Sequence, residues 1–249
     1  GAHAIRLNVP GIDNERIFYL RTVEDTFKIK DFVMREKPKT AVLAGGGFIS
    51  LEMAENLIEM GIEVTIVQRP KQIFHLLDSD MVSEVHSLFK KHGAKLKLGS
   101  TVAGFESAGD GINTLIENDV PIKSDMVILA IGVTPDSKLA EGAGLTLGIK
   151  GSIVVNDRME TSEEKDIYAV GDAIQVKHFV TGEDAVISLA GPANKQGRIV
   201  ADNVCGGDSR YLGSQGSSVI KLFDMTVATT GINERMAESL GLDYDCVIL

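Results

Sequence analysis

Residues 40–69 read TAVLAGGGFISLEMAENLIEMGIEVTIVQR and hold the residues best suited to binding an anion. An apolar run, Ala41, Val42, Leu43 and Ala44, meets three glycines, Gly45, Gly46 and Gly47. Gly45 permits a tight turn, and Gly47 leaves room for the backbone to approach a pyrophosphate. Phe48, Leu51, Ala54 and Ile58 then recur on one face of a helix that Gly61 stops. The first turn of that helix, with Ile49 and Ser50, would offer unpaired N–H donors to phosphate. Val64, Thr65, Ile66 and Val67 supply a second strand. The whole is a strand–turn–helix–strand unit of about thirty residues, the length of a dinucleotide-binding βαβ unit. A GxGxxG string alone is weak; between these elements it predicts a nucleotide site.

Two positions depart from the usual fingerprint. Ser50 stands where a third glycine lets helix and strand pack closely, and its small side chain calls for only a slight adjustment. Gln68 stands where a carboxylate would bond the 2′-hydroxyl of NAD and repel a 2′-phosphate. Arg69 and, after Pro70, Lys71 add positive charge that suits a phosphate. The pattern leans towards NADP or tolerance of both cofactors, although Arg69 and Lys71 also fit solvated loop charges.

Strands alternate with helices around this unit, which predicts an α/β fold with a mainly parallel, Rossmann-type sheet. Residues 17–20 read as a strand, and Thr22 as the N-cap of a helix to Glu36 with Asp25 in its first turn. Residues 78–92 read as a helix with Met81, Val85 and Leu88 on one side and Gly93 as its stop. Alternation at 95–98, 102–106 and 112–116 predicts a small antiparallel meander. Residues 126–131 read as a buried strand that breaks at Gly132 and Pro135. Beyond Gly151, strands are expected at 153–155 and 167–170, the latter running into Gly171 and Asp172. A helix is expected at 192–205, with Ile199, Val200 and Val204 apolar, then β structure at 219–230 and a helix at 231–240. Residues 247–249 read as a strand in mid-course, and residue 1 is not methionine, so a chain cut at both ends is expected.

The 249 residues suffice for one large or two medium domains. A net charge of −10 argues against general nucleic-acid binding, though local backbone donors can still hold an anionic cofactor. No apolar run approaches the roughly twenty residues of a membrane span, and no signal peptide is visible. Cys205 and Cys246 form no CxxC pair and read as small buried hydrophobes. The histidines are scattered, and no metal site is expected.

Five segments in order carry a resemblance: GGGFISLEMAENL (45–57), ILAIGVTPDSKLAEGAGL (128–145), IYAVGDA (167–173), LAGPANKQGR (189–198) and KLFDMTVATTG (221–231). Together they resemble the pyridine nucleotide–disulfide oxidoreductases, flavoproteins with two dinucleotide sites. The nearest branch is that of coenzyme A disulfide and persulfide reductases, including forms fused to a rhodanese domain. NADH oxidases and peroxidases are close relatives. The resemblance implies a lead-in at 1–36, an NAD(P)H domain at 37–148, the last part of an FAD domain at 149–208 and the start of a dimerisation domain from 209. It implies a cytoplasmic homodimer acting on a small-molecule disulfide or persulfide, with no nucleic-acid or membrane partner.

By the same resemblance, Gly45, Gly46, Gly47, Ile49 and Ser50 line the NAD(P)H pyrophosphate turn. Phe48 would be the aromatic gate over the flavin, and Glu52 would lie near the nicotinamide amide. Gln68 and Arg69 would face the ribose, and Gly132 and Val133 the nicotinamide end. Gly171 and Asp172 would meet the flavin's ribityl chain, with Ala193 and its helix start at the flavin pyrimidine. Spacing alone also fits Phe48 as core, Glu52 as a solvated charge and Gly171-Asp172 as an ordinary turn. The family's N-terminal FAD turn and its redox cysteine have no counterpart in these residues, so the chain as given is expected to be inactive alone. A module that senses NAD(P)H without turnover is the competing class.

Overall fold

The computed structural model describes residues 1–161 and 166–248. Two compact units emerge, one of Ala4–Gly132 with Ile220–Thr226, the other of Gly1–His3, Val133–Val219 and Val227–Leu249.

Along the chain, β1 (Ala2–Ala4) and β2 (Ile17–Tyr19) precede α1 (Val23–Glu36). Thr22 caps the start of α1, as the sequence predicts, and Asp25 returns the bond to the Thr22 N–H, which makes a reciprocal capping box. The apolar segments of the glycine unit become β3 (Thr40–Ala44), α2 (Phe48–Glu59) and β4 (Glu63–Gln68). Then come α3 (Ser79–Lys91), β5 (Lys95–Leu98), a three-stranded antiparallel sheet of β6 (Val102–Ala108), β7 (Gly111–Ile116) and β8 (Ile122–Ser124), and finally β9 (Met126–Leu129). The main sheet has the order β2-β9-β3-β4-β5, and every pairing in it is parallel. The chain therefore steps outward from β3 through β4 to β5, then returns to β9 on the other side of β3. That reversal makes the carboxyl ends of β3 and β9 a topological switch point, where open α/β sheets bind ligands.

Alternate residues of the buried strands serve two layers. Val42, Ala44, Val67, Val127 and Leu129 pack with Phe105, Ile112 and Ile116 of the antiparallel sheet. On the other face of the same strands, Leu43, Ile66 and Ile128 are also fully buried, together with Leu51, Ala54 and Leu57 of α2.

Two expectations for this unit need correction. Residues 95–98 do not join the antiparallel meander; β5 is the parallel edge of the main sheet, paired with β4. Only Lys95 is exposed, and Leu96, Lys97 and Leu98 are half-buried, so the lysine–leucine alternation of this edge strand does not distinguish the two sheet types. Helix α3 buries Val82, Val85, Leu88 and Phe89, whereas Met81 is 58% exposed. Val85 and Leu88 are buried as expected; Val82 and Phe89 join them in place of Met81, which turns the stripe by about half of the roughly 100° between successive residues.

In the second unit, β10 (Val133–Pro135) pairs with β1, and α4 (Lys138–Gly142), β11 (Val176–Lys177), β12 (Asp184–Ala185) and α5 (Ala190–Val204) follow. A hairpin of β13 (Ser218–Leu222) and β14 (Met225–Thr229), of which Ile220–Thr226 groups with the first unit, precedes α6 (Glu234–Ser239) of the second. Its core gathers Ile153, Met159, Ile174, Val176 and Tyr211, with Ile199 and Val200 of α5 packed against them. Residues 153–155 and 167–170 make only isolated bridges, not the expected strands. Positive φ at Gly151, Met159, Asp166 and Gly171 interrupts the extended backbone too often for a ladder. Cys205 and Cys246 are exposed rather than buried. Helix α5 buries Gln196 and Asn203, and Cys205, at its C-cap, lies off that stripe; Val204 is likewise 64% exposed. Val247 and Ile248 are exposed and form no strand, and Leu249 lies outside the described residues. Among the described residues, no helix is long and apolar enough to cross a membrane, and no cluster of potential metal ligands occurs.

The start of β3 is fastened to the start of β9 by Asp125. Its Oδ2 accepts the Lys39 N–H at 2.7 Å, the Thr40 N–H at 2.8 Å and the Thr40 hydroxyl at 3.0 Å. Partial burial pushes its pKa up, but these hydrogen bonds and the nearby Arg16 charge outweigh it and hold the carboxyl below its ordinary value. Asp125→Ala is expected to cost about 2 kcal/mol in urea unfolding. A carboxyl depressed on folding stabilises above its unfolded pKa, so wild type should lose this advantage as pH falls through the native pKa, below about pH 4. The alanine variant should lack that part of the acid sensitivity.

Candidate cofactor-binding site

The glycine turn sits at the carboxyl end of β3, beside that of β9. Gly45 has φ of 116°, and a Cβ there would lie 2.2 Å from the Ala130 carbonyl oxygen. Its N–H donates to the Val67 carbonyl at 2.9 Å, while the Ala130 N–H donates to the Ala44 carbonyl at 2.8 Å. Gly46 faces Ile73, whose Cγ2 would be 2.9 Å from an added Cβ. Gly47 is the N-cap of α2 and faces open space, with nothing within 4 Å of an added Cβ. Thus two of the three glycines are demanded by protein packing, and the third leaves the helix start clear. Ser50 is fully buried and donates its hydroxyl to the Gly45 carbonyl at 2.8 Å, a hydrogen bond that glycine could not make.

The start of α2 has no side-chain cap and no acidic residue in its first turn. Its leading N–H groups and positive dipole end are therefore available to an anion, which fits a pyrophosphate. Phe48 and Ile49 are half-buried in this turn, and Glu52 is exposed one helical turn on. Phe48 meets Phe74 edge to face, ring centroids 4.9 Å apart. Phe74 is buried with φ of 47° and donates its N–H to the Gly46 carbonyl at 2.6 Å. Neither Phe74 nor Ile73 was legible as a site residue, because no local signal announces a left-handed phenylalanine.

Gln68 ends β4 half-buried, and Arg69 and Lys71 follow it exposed. Gly132, with φ of 121°, follows β9 at the neighbouring strand end and accepts the Ile5 N–H at 3.0 Å; Val133 begins β10. The structure thus brings Gly45 to Ser50, Gln68 and Gly132 to the carboxyl edge of one sheet.

A second group lies in the other unit. Gly171, with φ of 77°, opens a single 3-10 turn through Asp172, and its N–H donates to the buried Gln196 side chain at 2.8 Å. Ala193, on α5, lies close by, with its Cβ 3.7 Å from one added at Gly171. Helix α5 starts at Ala190, earlier than expected, and the Ala193 N–H is already given to the Leu189 carbonyl. Anion-stabilising donors on this helix must come from Ala190 and Gly191, ahead of Pro192, and its first turn again lacks both acid and side-chain cap. Gln196 belongs to the LAGPANKQGR segment, but only the fold shows that it holds the Gly171 turn.

A family model described as pyridine nucleotide-disulphide oxidoreductase matches residues 1–197. The chain belongs to this family. Coenzyme A disulfide reductase of Staphylococcus aureus is 32% identical over 247 residues, covering 96% of this chain and 53% of its own length. The structure of reduced CoADR-RHD from Bacillus anthracis is 46% identical with a TM-score of 0.94, covering 98% of this chain and 44% of that one. An engineered NADPH-bound variant of the water-forming NADH oxidase from Lactobacillus brevis is 29% identical with a TM-score of 0.91, covering 97% and 53%. The chain spans about half the length of the curated relatives it matches. Membership of this family carries the two cofactors expected from the sequence, NAD(P)H and FAD.

The packing separates the glycines experimentally. Gly45→Ala should cost at least about 3 kcal/mol, through its clash with the Ala130 backbone and its positive φ. Gly47→Ala should change stability by no more than about 1 kcal/mol. Equal melting-temperature losses in the two variants would contradict this account of the turn.

Proposed function

We propose that this chain is the NAD(P)H-binding portion, and part of the FAD-binding portion, of a flavin-dependent oxidoreductase. The whole protein, a cytoplasmic homodimer in this reading, would pass hydride from NADPH through FAD to a disulfide such as coenzyme A disulfide, or to a persulfide. The observation that carries the reading is the unobstructed, acid-free start of α2 at the sheet's switch point. The backbone of Gly45 to Ser50 binds the pyrophosphate. Phe48 and Glu52 stand on the nicotinamide and flavin side, with Gly132 and Val133 bordering the nicotinamide. Gly171 and Asp172 take the ribityl chain, and the start of α5, with Ala193, takes the flavin pyrimidine. FAD, when bound, supplies the two-electron carrier. The chain's own residues bind, orient and keep water from the face that Phe48 covers.

Cofactor choice follows from residues at the end of β4. Arg69 and Lys71 are exposed and, among the described residues, make no ion pair, so their charge is available to a 2′-phosphate. The engineered NADPH oxidase provides a parallel. Its substitutions include a glycine to alanine and, eighteen residues later, an aspartate to alanine followed directly by an arginine. Ser50, Gln68 and Arg69 have the same spacing here, with a small residue other than glycine, an uncharged residue and an arginine in the three places. This favours NADPH. The similarity to that oxidase also makes oxygen the second candidate for the terminal acceptor.

The test uses the full-length protein under anaerobic conditions. NADPH oxidation should accompany thiol release from coenzyme A disulfide or from a persulfide; oxidation only after oxygen is admitted would favour the oxidase reading. Failure of NADPH and NADH alike to raise the melting temperature would sink both, since ligand at a hundred times its Kd should stabilise by about 2.7 kcal/mol. Arg69→Glu should weaken NADPH more than NADH, and the difference should shrink as salt rises. Equal losses would remove Arg69 from the 2′ position.

A further inference from the structure

The segment between β4 and α3 carries Arg69 and Lys71 yet has no regular secondary structure. Its central residues are fixed from two sides. Towards the glycine turn, Ile73 is fully buried against Gly46, and Phe74 donates its N–H to the Gly46 carbonyl. Towards α3, the Ile73 N–H is donated to Nε2 of His86 at 3.3 Å. His86 lies four residues after the buried Val82 and three before the buried Phe89, so helical spacing turns it inward above this loop. Gln72 adds a bond within the loop, its amide donating to the Leu77 carbonyl at 3.0 Å.

We propose that His86 is a positioning residue for the adenosine 2′-phosphate end of NADPH, holding the loop that presents Arg69 and Lys71. The inference rests on the dinucleotide reading above. Accepting the Ile73 N–H requires an unprotonated Nε2, hence the neutral ring with its proton on Nδ1. Burial, and secondarily the Lys90 charge, push the His86 pKa down, which keeps the acceptor form dominant at neutral pH. Without the imidazole, a buried backbone N–H loses its partner, and the loop must shift to find another. Gly46 and Phe74 would still hold the loop's far side, and the Gly99 N–H would still hold the Pro70 carbonyl at 2.9 Å, so the shift falls on Lys71 and Gln72 between them and reaches Arg69 through Pro70. His86 touches neither cofactor nor substrate in this scheme.

Calorimetric binding to the full-length protein tests it, with NADP⁺, 2′,5′-ADP and nicotinamide mononucleotide as probes. His86→Leu should weaken NADP⁺ and 2′,5′-ADP alike, on the order of fivefold, the worth of one neutral hydrogen bond, and leave the mononucleotide unchanged. In turnover, KM for NADPH should rise with kcat retained. His86→Gln, whose side-chain oxygen can accept the same N–H, should recover most of the affinity. Should His86→Leu not fold, His86→Phe removes the acceptor while keeping a ring. Equal weakening of all three probes, or a glutamine variant as weak as the apolar one, would overturn the role of His86. So would unchanged binding in the apolar variant, which leaves the dinucleotide reading intact. A wild-type protein that binds neither NADP⁺ nor 2′,5′-ADP would instead overturn that reading, and this inference with it.

Discussion

The contact between Gly45 and the Ala130 backbone sets the geometry of everything around it. Two parallel strands, β3 and β9, reach their carboxyl ends side by side, and the chain leaving β3 must cross the one leaving β9. No side chain fits between them, since even a Cβ would lie 2.2 Å from the Ala130 oxygen. Once that crossing is made, Gly46 can seat against Ile73, and Gly47 directs α2 away with its first turn uncovered. The opposite ends of the same two strands are closed by Asp125 on Lys39 and Thr40. The pair is held at both ends, so the position of the glycine turn is set by the sheet rather than by a flexible loop.

Helix polarity divides scaffold from site. Helix α1 has a full capping box and acids at Glu24 and Asp25 in its first turn, and α3 carries Asp80 there. Helices α2 and α5 have neither an acid in the first turn nor a side-chain cap. Negative charge at a helix start satisfies the dipole internally, and its absence leaves that stabilisation to a ligand. The chain's net charge of −10 therefore says little about its affinity for anions. What matters is that the acids are kept off the two helix starts beside the candidate glycine motifs.

The parts that were legible in the sequence depend on local periodicity. The β3–α2–β4 unit, the Thr22 cap and the Gly61 stop all follow from spacing and from residues whose conformational preferences are strong. Direction of pairing is different. The alternation of Lys95 to Leu98 marks a strand, and only the neighbouring strand decides whether the pairing is parallel. Between 151 and 171, left-handed residues such as Met159 and Asp166 break what apolar composition reads as strand. Phe74, Ile73, His86 and Gln196 were illegible for a shared reason. Each acts through a backbone group far along the chain, and no spacing rule connects a side chain to a distant N–H or carbonyl.

Ser50 shows how a departure from a motif can strengthen the feature it seems to weaken. At the third fingerprint position a side chain would ordinarily press helix and strand apart, so glycine is the simplest choice. Here the hydroxyl is fully buried and its hydrogen bond returns to the Gly45 carbonyl, the residue that makes the turn. A methyl group would occupy nearly the same space and leave that carbonyl with one partner fewer. Glycine would leave it so as well, and would also add backbone freedom. Serine therefore ties the beginning of α2 to the turn that precedes it. A binding turn already fixed in its working shape loses less entropy when the ligand arrives, so affinity comes from rigidity as much as from contacts.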